Sequence, residues 1–216
     1  MAVRQASSET EVVAYLAALD TDAVPHTGRT LLAHLRGTAV LVADWGLPRS
    51  VVLAALCHSL YGTERFAHVS LNPGDRTGLQ QLIGRQAEHL VFLFHCLRRA
   101  SLFSGHGAAG LRWINGGDLH ATSREFAYLA CIGIANFIET LQNKGFHARC
   151  RLMGTRHHWA NVEPYLPTQT NARIATIYAS NHVPGPVVAG AAFVRRCKRR
   201  VRHPMATRTC LNPEIL

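Results

Sequence analysis

Residues 48–61, which read PRSVVLAALCHSLY, limit the possible folds more than any other stretch of the chain. Apolar side chains occupy most of these positions, and Pro48 suits the first turn of a helix because its φ is already helical. A helix that is apolar nearly all round has no face to offer to water. The stretch therefore predicts a central helix of a helical bundle, with His58 at the end of that buried helix.

Apolar residues recur at helical spacing on both sides of this central stretch, and Ser8 and Glu11 have the spacing of a capping box. The predicted helices lie, in chain order, at about 8–20, 29–45, 48–61, 76–84, 85–99 and 122–143. A bend is expected at Gly84, and the glycine-rich segment 100–120 predicts a loop with a small hairpin. The expected fold class is all-α, a compact helical bundle.

Charge is distributed unevenly along the chain, which has a formal net charge of +10. Residues 1–150 hold 13 Lys and Arg against 11 Asp and Glu, whereas the remaining residues hold 10 against 2. Frequent prolines and the lack of periodicity predict a poorly ordered basic C-terminal tail. The expected organisation is an N-terminal helix and turn (1–24), a helical domain (25–148) and an irregular tail (149–216). An extension with little structure of its own, even a shifted reading frame, is the alternative interpretation of the tail.

The basic run RRCKRRVR at 195–202 predicts weak, non-specific contact with nucleic acid or with an anionic membrane surface, because such a run attracts phosphates without reading sequence. A nucleic-acid-associated protein acting through this tail is the third functional hypothesis. The six cysteines are widely spaced and form no CxxC pair, which is typical of reduced thiols. No apolar window has the length of a membrane span and no signal peptide is apparent, so a soluble cytoplasmic protein is expected.

The segments HTGRTLLAH (26–34) and HSLYGT (58–63) carry the most specific signal. They resemble the opening of an HD-superfamily domain of the RelA/SpoT type. In that superfamily one helix supplies a histidine, the next ends in a His-Asp pair, and a distant helix adds an aspartate. His34 and His58 occupy the two histidine positions, 24 residues apart, with a Gly-Leu-Pro turn between them. The resemblance implies a metal site where these helices converge.

The chain departs from this pattern at its acidic positions. Ser59 follows His58 where the pattern has Asp, and Asn136 stands where the distant Asp is expected. Gly62 and Thr63 replace a further acidic pair, which argues against hydrolysis of an alarmone-like pyrophosphate. Magnesium prefers carboxylate ligands, so loss of metal binding is one expectation and a transition metal held by histidines is the other. A bacterial group without assigned activity shares the His-Ser-x-Tyr-Gly-Thr segment and is more similar than the hydrolases.

The resemblance therefore implies a degenerate metal site that binds a small anionic ligand bearing phosphate or carboxylate. Its chemistry would be that of a metal-dependent phosphohydrolase or an iron-dependent oxygenase, with iron, manganese or zinc as the metal. The implied residues are His34 and His58 as metal ligands, His58 and Tyr61 as catalytic groups, and His26, Arg29 and Asn136 as ligand-binding groups.

Simpler interpretations exist for each of these residues. His34 and His58 are equally typical of core histidines with satisfied hydrogen bonds. Arg29 would cap a helix or pair with Asp22, and Tyr61 would serve as a buried ring. A non-catalytic binding or regulatory module of the same fold is therefore the alternative function. The sequence assigns neither a substrate nor an oligomeric state.

Overall fold

The computed structural model describes residues 7–141 and 145–181, and most of them are helical. The predicted all-α class is confirmed. The α-helices are α1 (Glu9–Ala18), α2 (Leu31–Asp44), α3 (Arg49–Cys57), α4 (Thr77–Ile83), α5 (Arg85–Cys96), α6 (Arg99–Leu102), α7 (Ser123–Leu141), α8 (Gly145–Met153), α9 (Arg156–Val162) and α10 (Thr168–Ser180). Short 3-10 helices occur at Gly107–Gly110 and Glu163–Tyr165, and two short strands, β1 (Pro25–His26) and β2 (Arg29–Thr30), precede α2.

Helix α3 lies at the centre of the bundle, as its composition predicts. Every residue from Val51 to Cys57 is buried. The helix packs against α2, α5 and α7, so apolar side chains on all of its faces meet other helices. It ends at Cys57, and His58 follows as its C-cap residue with helical backbone angles. The end of the buried helix therefore places the His58 side chain inside the protein.

The ends of several helices are set by local sequence. Ser8 and Glu11 form the predicted capping box at the start of α1. Thr122 and Glu125 repeat the arrangement before α7, where the Thr122 hydroxyl accepts from the Glu125 amide at 3.2 Å. Gly84 has a φ of 87° between α4 and α5, a left-handed conformation that suits glycine. The predicted bend at Gly84 is present.

A two-stranded hairpin stands before α2, where the sequence predicts only a turn-rich segment and a helix start at 29. Thr27 and Gly28 both have positive φ angles, 49° and 87°, as a two-residue hairpin turn of the right twist requires. His26 and Arg29 are directly opposite each other in the register. Directly opposed residues project from the same face of a hairpin, so the side chains of His26 and Arg29 lie on one face of it.

The segment from residue 149 onward differs from the prediction of an irregular tail. Residues up to Ser180 form α8, α9 and α10, and Trp159, Val162, Ile174 and Tyr178 are buried. The Trp159 and Tyr178 rings stack 5.5 Å apart, which joins α9 to α10. Pro164 and Pro167 do not interrupt helices: they stand at helix starts, where a missing N–H costs nothing. The rest of the predicted tail, with the basic run, lies outside the described residues.

The cysteines that the structure describes agree with the predicted reduced state. They are buried and lie outside any disulfide; these residues are Cys57, Cys96, Cys131 and Cys150. They lie within or beside the apolar core, where a thiol packs as a small hydrophobic group. Among residues 7–141 and 145–181, every helix is too short or too polar to cross a bilayer.

Candidate functional site

Three imidazole rings meet inside the bundle. The His34 ring centroid lies 4.2 Å from that of His26 and 5.2 Å from that of His58. His34 is 0% exposed and His58 is 2% exposed. His34 lies in the first turns of α2, His58 follows the end of α3, and His26 reaches the other two rings from the hairpin. The structure thus brings together the three histidines that the sequence places in one site; we call them the histidine cluster.

Helix α7 completes the histidine cluster from a distant part of the chain. The Nδ1 of His34 donates a hydrogen bond to the carboxylate of Glu139, and its Nε2 lies 2.9 Å from Oδ1 of Asn136. Asn136 and Glu139 are three residues apart, so they share one face of α7. Gly37 permits the close approach of α2, because a Cβ there would lie 2.7 Å from Oε1 of Glu139.

His34 is held in its neutral form. Burial lowers the pKa of His34 to about 2, and the neighbouring His58, His26 and Arg29 act in the same direction. A neutral imidazole has one N–H, and acceptance by the Glu139 carboxylate fixes that hydrogen on Nδ1. The Nε2 atom therefore keeps its lone pair. The Asn136 Oδ1 and this lone pair are both acceptors, so the Asn136 amide is rotated by 180° to place its NH₂ group, a donor, against Nε2.

His58 is fixed in the same tautomer by the backbone. Its Nδ1 lies 2.7 Å from the carbonyl oxygen of Ala55, to which it donates. Burial lowers the pKa of His58 to about 4, and the charges of Arg99 and His26 contribute. The carbonyl of Ala55 accepts only, so the hydrogen lies on Nδ1 and the lone pair lies on Nε2. Both buried histidines thus offer the same nitrogen to a ligand.

Arg29 pairs with Glu139, a residue that the sequence interpretation does not include in the site. The Arg29 guanidinium forms an ion pair with the buried carboxylate, whose side chain is 4% exposed against 36% for Arg29. This partner differs from Asp22, which the sequence offers as the nearby alternative. The charge of Arg29 is thereby largely neutralised. The available signal for Glu139 is its position one helical turn after Asn136.

Ser59 and Tyr61 have different surroundings. The Ser59 hydroxyl is buried without a hydrogen-bond partner among the described residues. The Tyr61 hydroxyl donates to Glu88 at 3.0 Å, and Glu88 also accepts from Arg76 at 2.7 Å. Burial and the Glu88 carboxylate raise the pKa of Tyr61. Tyr61 thus belongs to a polar network centred on Glu88 of α5, and its catalytic role stays a prediction.

The donor set limits which metal the histidine cluster would suit. Within the described residues, no three His, Cys, Asp or Glu side chains are grouped so that they would hold a metal ion. The cluster offers the Nε2 atoms of His34 and His58 and the amide of Asn136, while Glu139 is engaged by His34 and Arg29. Imidazole ligands suit iron or zinc better than magnesium. A transition metal fits this donor set, although only weakly.

These residues define an all-helical domain with a buried histidine cluster where α2, α3 and α7 meet. A family model described as a domain of unknown function, DUF6817, matches residues 15–99, which is less than half of the chain. The match includes His26, His34 and His58 and ends before α7, which carries Asn136 and Glu139. No curated protein and no solved structure matches the chain.

Proposed function

We propose that the chain is an HD-like domain with a degenerate metal site. In this proposal His34 and His58 hold an iron, manganese or zinc ion, and a small anionic ligand bearing phosphate or carboxylate binds beside it. One observation carries the proposal: the Nδ1 of each histidine is bound to an oxygen acceptor, so both Nε2 atoms keep their lone pairs in one buried cluster. Asn136 hydrogen-bonds to the Nε2 of His34 and gives up that contact when a metal ion binds.

This pattern of hydrogen bonds is typical of metal-binding histidines. Such a histidine usually donates its second N–H to a carboxylate or a backbone carbonyl, which fixes the ring and raises the basicity of the ligating nitrogen. His34 has the carboxylate of Glu139, and His58 has the carbonyl of Ala55. The order of the helices, with Asn136 on a distant one, is the order that the HD resemblance implies.

The side chains in and around the histidine cluster have distinct roles in this proposal. Glu139 orients His34 and carries the countercharge for Arg29, whereas Asn136 supplies a neutral amide for hydrogen bonding. His26 covers the site from the hairpin. A bound metal ion supplies Lewis acidity, which serves hydrolysis of a phosphate ester or, with iron, reaction with oxygen. A metal-dependent hydrolase or an iron-dependent oxygenase is the enzyme class that follows.

A non-catalytic binding or regulatory module is the second candidate. It is favoured by Ser59 and Asn136, which place a hydroxyl and an amide at positions where the HD pattern has carboxylates. Two neutral imidazoles and an amide give no charge compensation to a divalent cation, so affinity for metal is reduced. In this candidate the helical scaffold and the histidine cluster persist for binding alone.

Metal content tests the proposal. The purified chain is equilibrated separately with Fe²⁺, Mn²⁺ and Zn²⁺, freed of excess ion by gel filtration and measured by elemental analysis. We expect about one equivalent of at least one metal, and none in the double variant His34→Gln, His58→Gln. His95→Gln is the matched control, because His95 is partly buried and its Nδ1 also lies near a backbone carbonyl, that of Gly62, at 3.0 Å. A metal-free wild type, or a double variant that keeps its metal and its circular dichroism spectrum, would overturn the proposal.

Activity then separates the two candidates. The metal-loaded chain is assayed for phosphate release from phosphate esters and for oxygen consumption. Turnover that disappears in the double variant supports the enzyme, whereas stoichiometric metal without turnover supports the binding module.

A further inference from the structure

Arg99, the first residue of α6, is a buried arginine that forms no salt bridge with any residue in 7–141 or 145–181. The residue is 4% exposed, and its guanidinium lies over the Phe94 ring, with Cζ 4.3 Å from the ring centroid. Its Nη1 is buried and has no hydrogen-bond partner among the described residues. Removing a cation from water without an acceptor for its N–H groups is costly, so buried guanidinium groups are normally paired. Within the described residues, the Nη1 of Arg99 therefore lacks the acceptor that a buried guanidinium normally has.

Arg76 shows how the same chain treats a comparable arginine. Its Cζ lies 3.9 Å from the centroid of the Phe92 ring, and its Nε and Nη2 donate to the Glu88 carboxylate at 2.7 and 2.8 Å. Arg99 has the aromatic ring but not the carboxylate. The acidic neighbour of Arg99 is Glu64, an exposed residue whose carboxylate accepts from the Arg99 backbone N–H at 2.8 Å. Glu64 thus serves the backbone and leaves Nη1 without an acceptor.

The other neighbours of Arg99 add positive charge or unused polar atoms. Burial and the charge of Arg65 lower the pKa of Arg99 to about 10, opposed by Glu64. On α9, His158 stacks on Phe137 with ring centroids 5.4 Å apart, and its buried Nδ1 also has no partner in the described part of the chain. Arg99 lies against the same Phe137, with Cζ 5.9 Å from the ring centroid.

We infer that Arg99, Arg65 and His158 form a binding site for a phosphate group of a small molecule. Arg99 supplies the buried charge and the unpartnered Nη1, and His158 supplies a ring nitrogen. Arg65 adds a second positive charge from an exposed position. Phosphate fits better than a single carboxylate because it carries more charge and three acceptor oxygens. This site goes beyond the metal site proposed above and does not depend on a metal at His34 and His58.

Thermal unfolding of the full chain in EDTA tests this inference without a contribution from metal. The melting temperature is measured at increasing concentrations of inorganic phosphate at pH 7.5 and compared with sodium chloride at matched ionic strength. Sodium acetate is titrated in the same way in a parallel series. A ligand that binds only the folded state raises the melting temperature by mass action. We expect a saturating rise of about 2–4 °C with phosphate, and no such rise with acetate. An equal response to acetate would overturn the assignment to phosphate, and a wild type without any response would overturn the site.

Two matched variants, Arg99→Met and Arg76→Met, and a third at Arg65 locate the response. Arg99→Met keeps an unbranched side chain over Phe94 without the charge, so it should abolish the phosphate response and melt at or above the wild-type temperature in chloride. Arg76→Met removes the paired arginine. This variant should melt at a lower temperature than the wild type in both salts, but phosphate should raise its melting temperature as much as it raises that of the wild type. Arg65→Gln, at an exposed position, should weaken the apparent affinity for phosphate roughly tenfold. A phosphate response that persists in Arg99→Met would place the anion elsewhere and refute the inference.

Discussion

Glu139 on α7 accepts a hydrogen bond from Nδ1 of His34 on α2, although 105 positions separate them in sequence. The same carboxylate neutralises Arg29 from the hairpin. One buried acid therefore joins three separate segments of the chain and fixes the tautomer of a histidine.

Replacement of this acid should be costly. Glu139→Gln keeps the shape of the side chain but leaves Arg29 without its counterion and weakens the hydrogen bond from His34. We expect a loss of about 1–3 kcal/mol in the free energy of unfolding, measured by urea denaturation. Asp118→Asn is the control, because Asp118 pairs with Arg112 at an exposed position and should change stability by less than about 1 kcal/mol. Equal effects of the two variants would contradict the buried role of Glu139.

Gly37 should be intolerant of a methyl group despite its helical position. Glycine to alanine inside a helix usually adds about 0.5–1 kcal/mol of stability. In Gly37→Ala the added Cβ would lie 2.7 Å from Oε1 of Glu139, so the carboxylate must move and the substitution should destabilise the chain. Gly78→Ala on α4 is the control, since a Cβ there meets nothing within 4 Å and should stabilise. Melting temperatures of the two variants should move in opposite directions.

His158 should make folding sensitive to mild acid. Burial, then His157, Arg65 and Arg99, lower the pKa of His158 to about 4, whereas an unfolded histidine titrates near 6.5. Between these values the unfolded chain binds a proton that the native chain does not, so stability is lost as the pH falls from about 6.5 towards 4. His158→Phe keeps the stacked ring and should show a smaller loss of melting temperature between pH 7.5 and 5.0 in phosphate-free buffer. The exposed His120, changed to Gln, should behave as wild type; an unchanged pH slope in His158→Phe would refute the prediction.

Helix α10 should contribute to the stability of the whole bundle. Ile174 is 0% exposed, so Ile174→Ala should cost about 2–5 kcal/mol through lost burial and the cavity that remains. Ile177 on the same helix is only partly buried and should cost less when changed to Ala. A single cooperative urea transition with a lower midpoint is expected for Ile174→Ala. A wild-type midpoint would mean that α10 is not part of the cooperative unit.

The sequence predicts those parts of the fold that depend on local patterns. The capping box at Ser8, the buried helix α3 and the bend at Gly84 each follow from residues within a few positions of one another. The spacing of His34 and His58 around a Gly-Leu-Pro turn likewise predicts two neighbouring helices. Local chemistry determines these features, so a short window is sufficient to identify them.

The remaining features depend on partners far away in the chain. Nothing near Glu139 shows that its carboxylate meets His34 and Arg29, because that contact exists only after α7 packs on α2. Helices α8 to α10 have short apolar patterns divided by prolines, and they are stable because residues such as Trp159 and Ile174 are buried against the rest of the bundle. The site and the C-terminal helices therefore require tertiary information.

Helix α7 contacts both the histidine cluster and the surroundings of Arg99. It carries Asn136 and Glu139, which contact the histidine cluster, and between them Phe137, which lies against Arg99 and His158. If α7 rotates or slides as a rigid body, all three side chains move with it. A ligand at either proposed site that shifts α7 would change the affinity at the other by the same factor in both directions, so this one helix would couple the histidine cluster to Arg99 and His158.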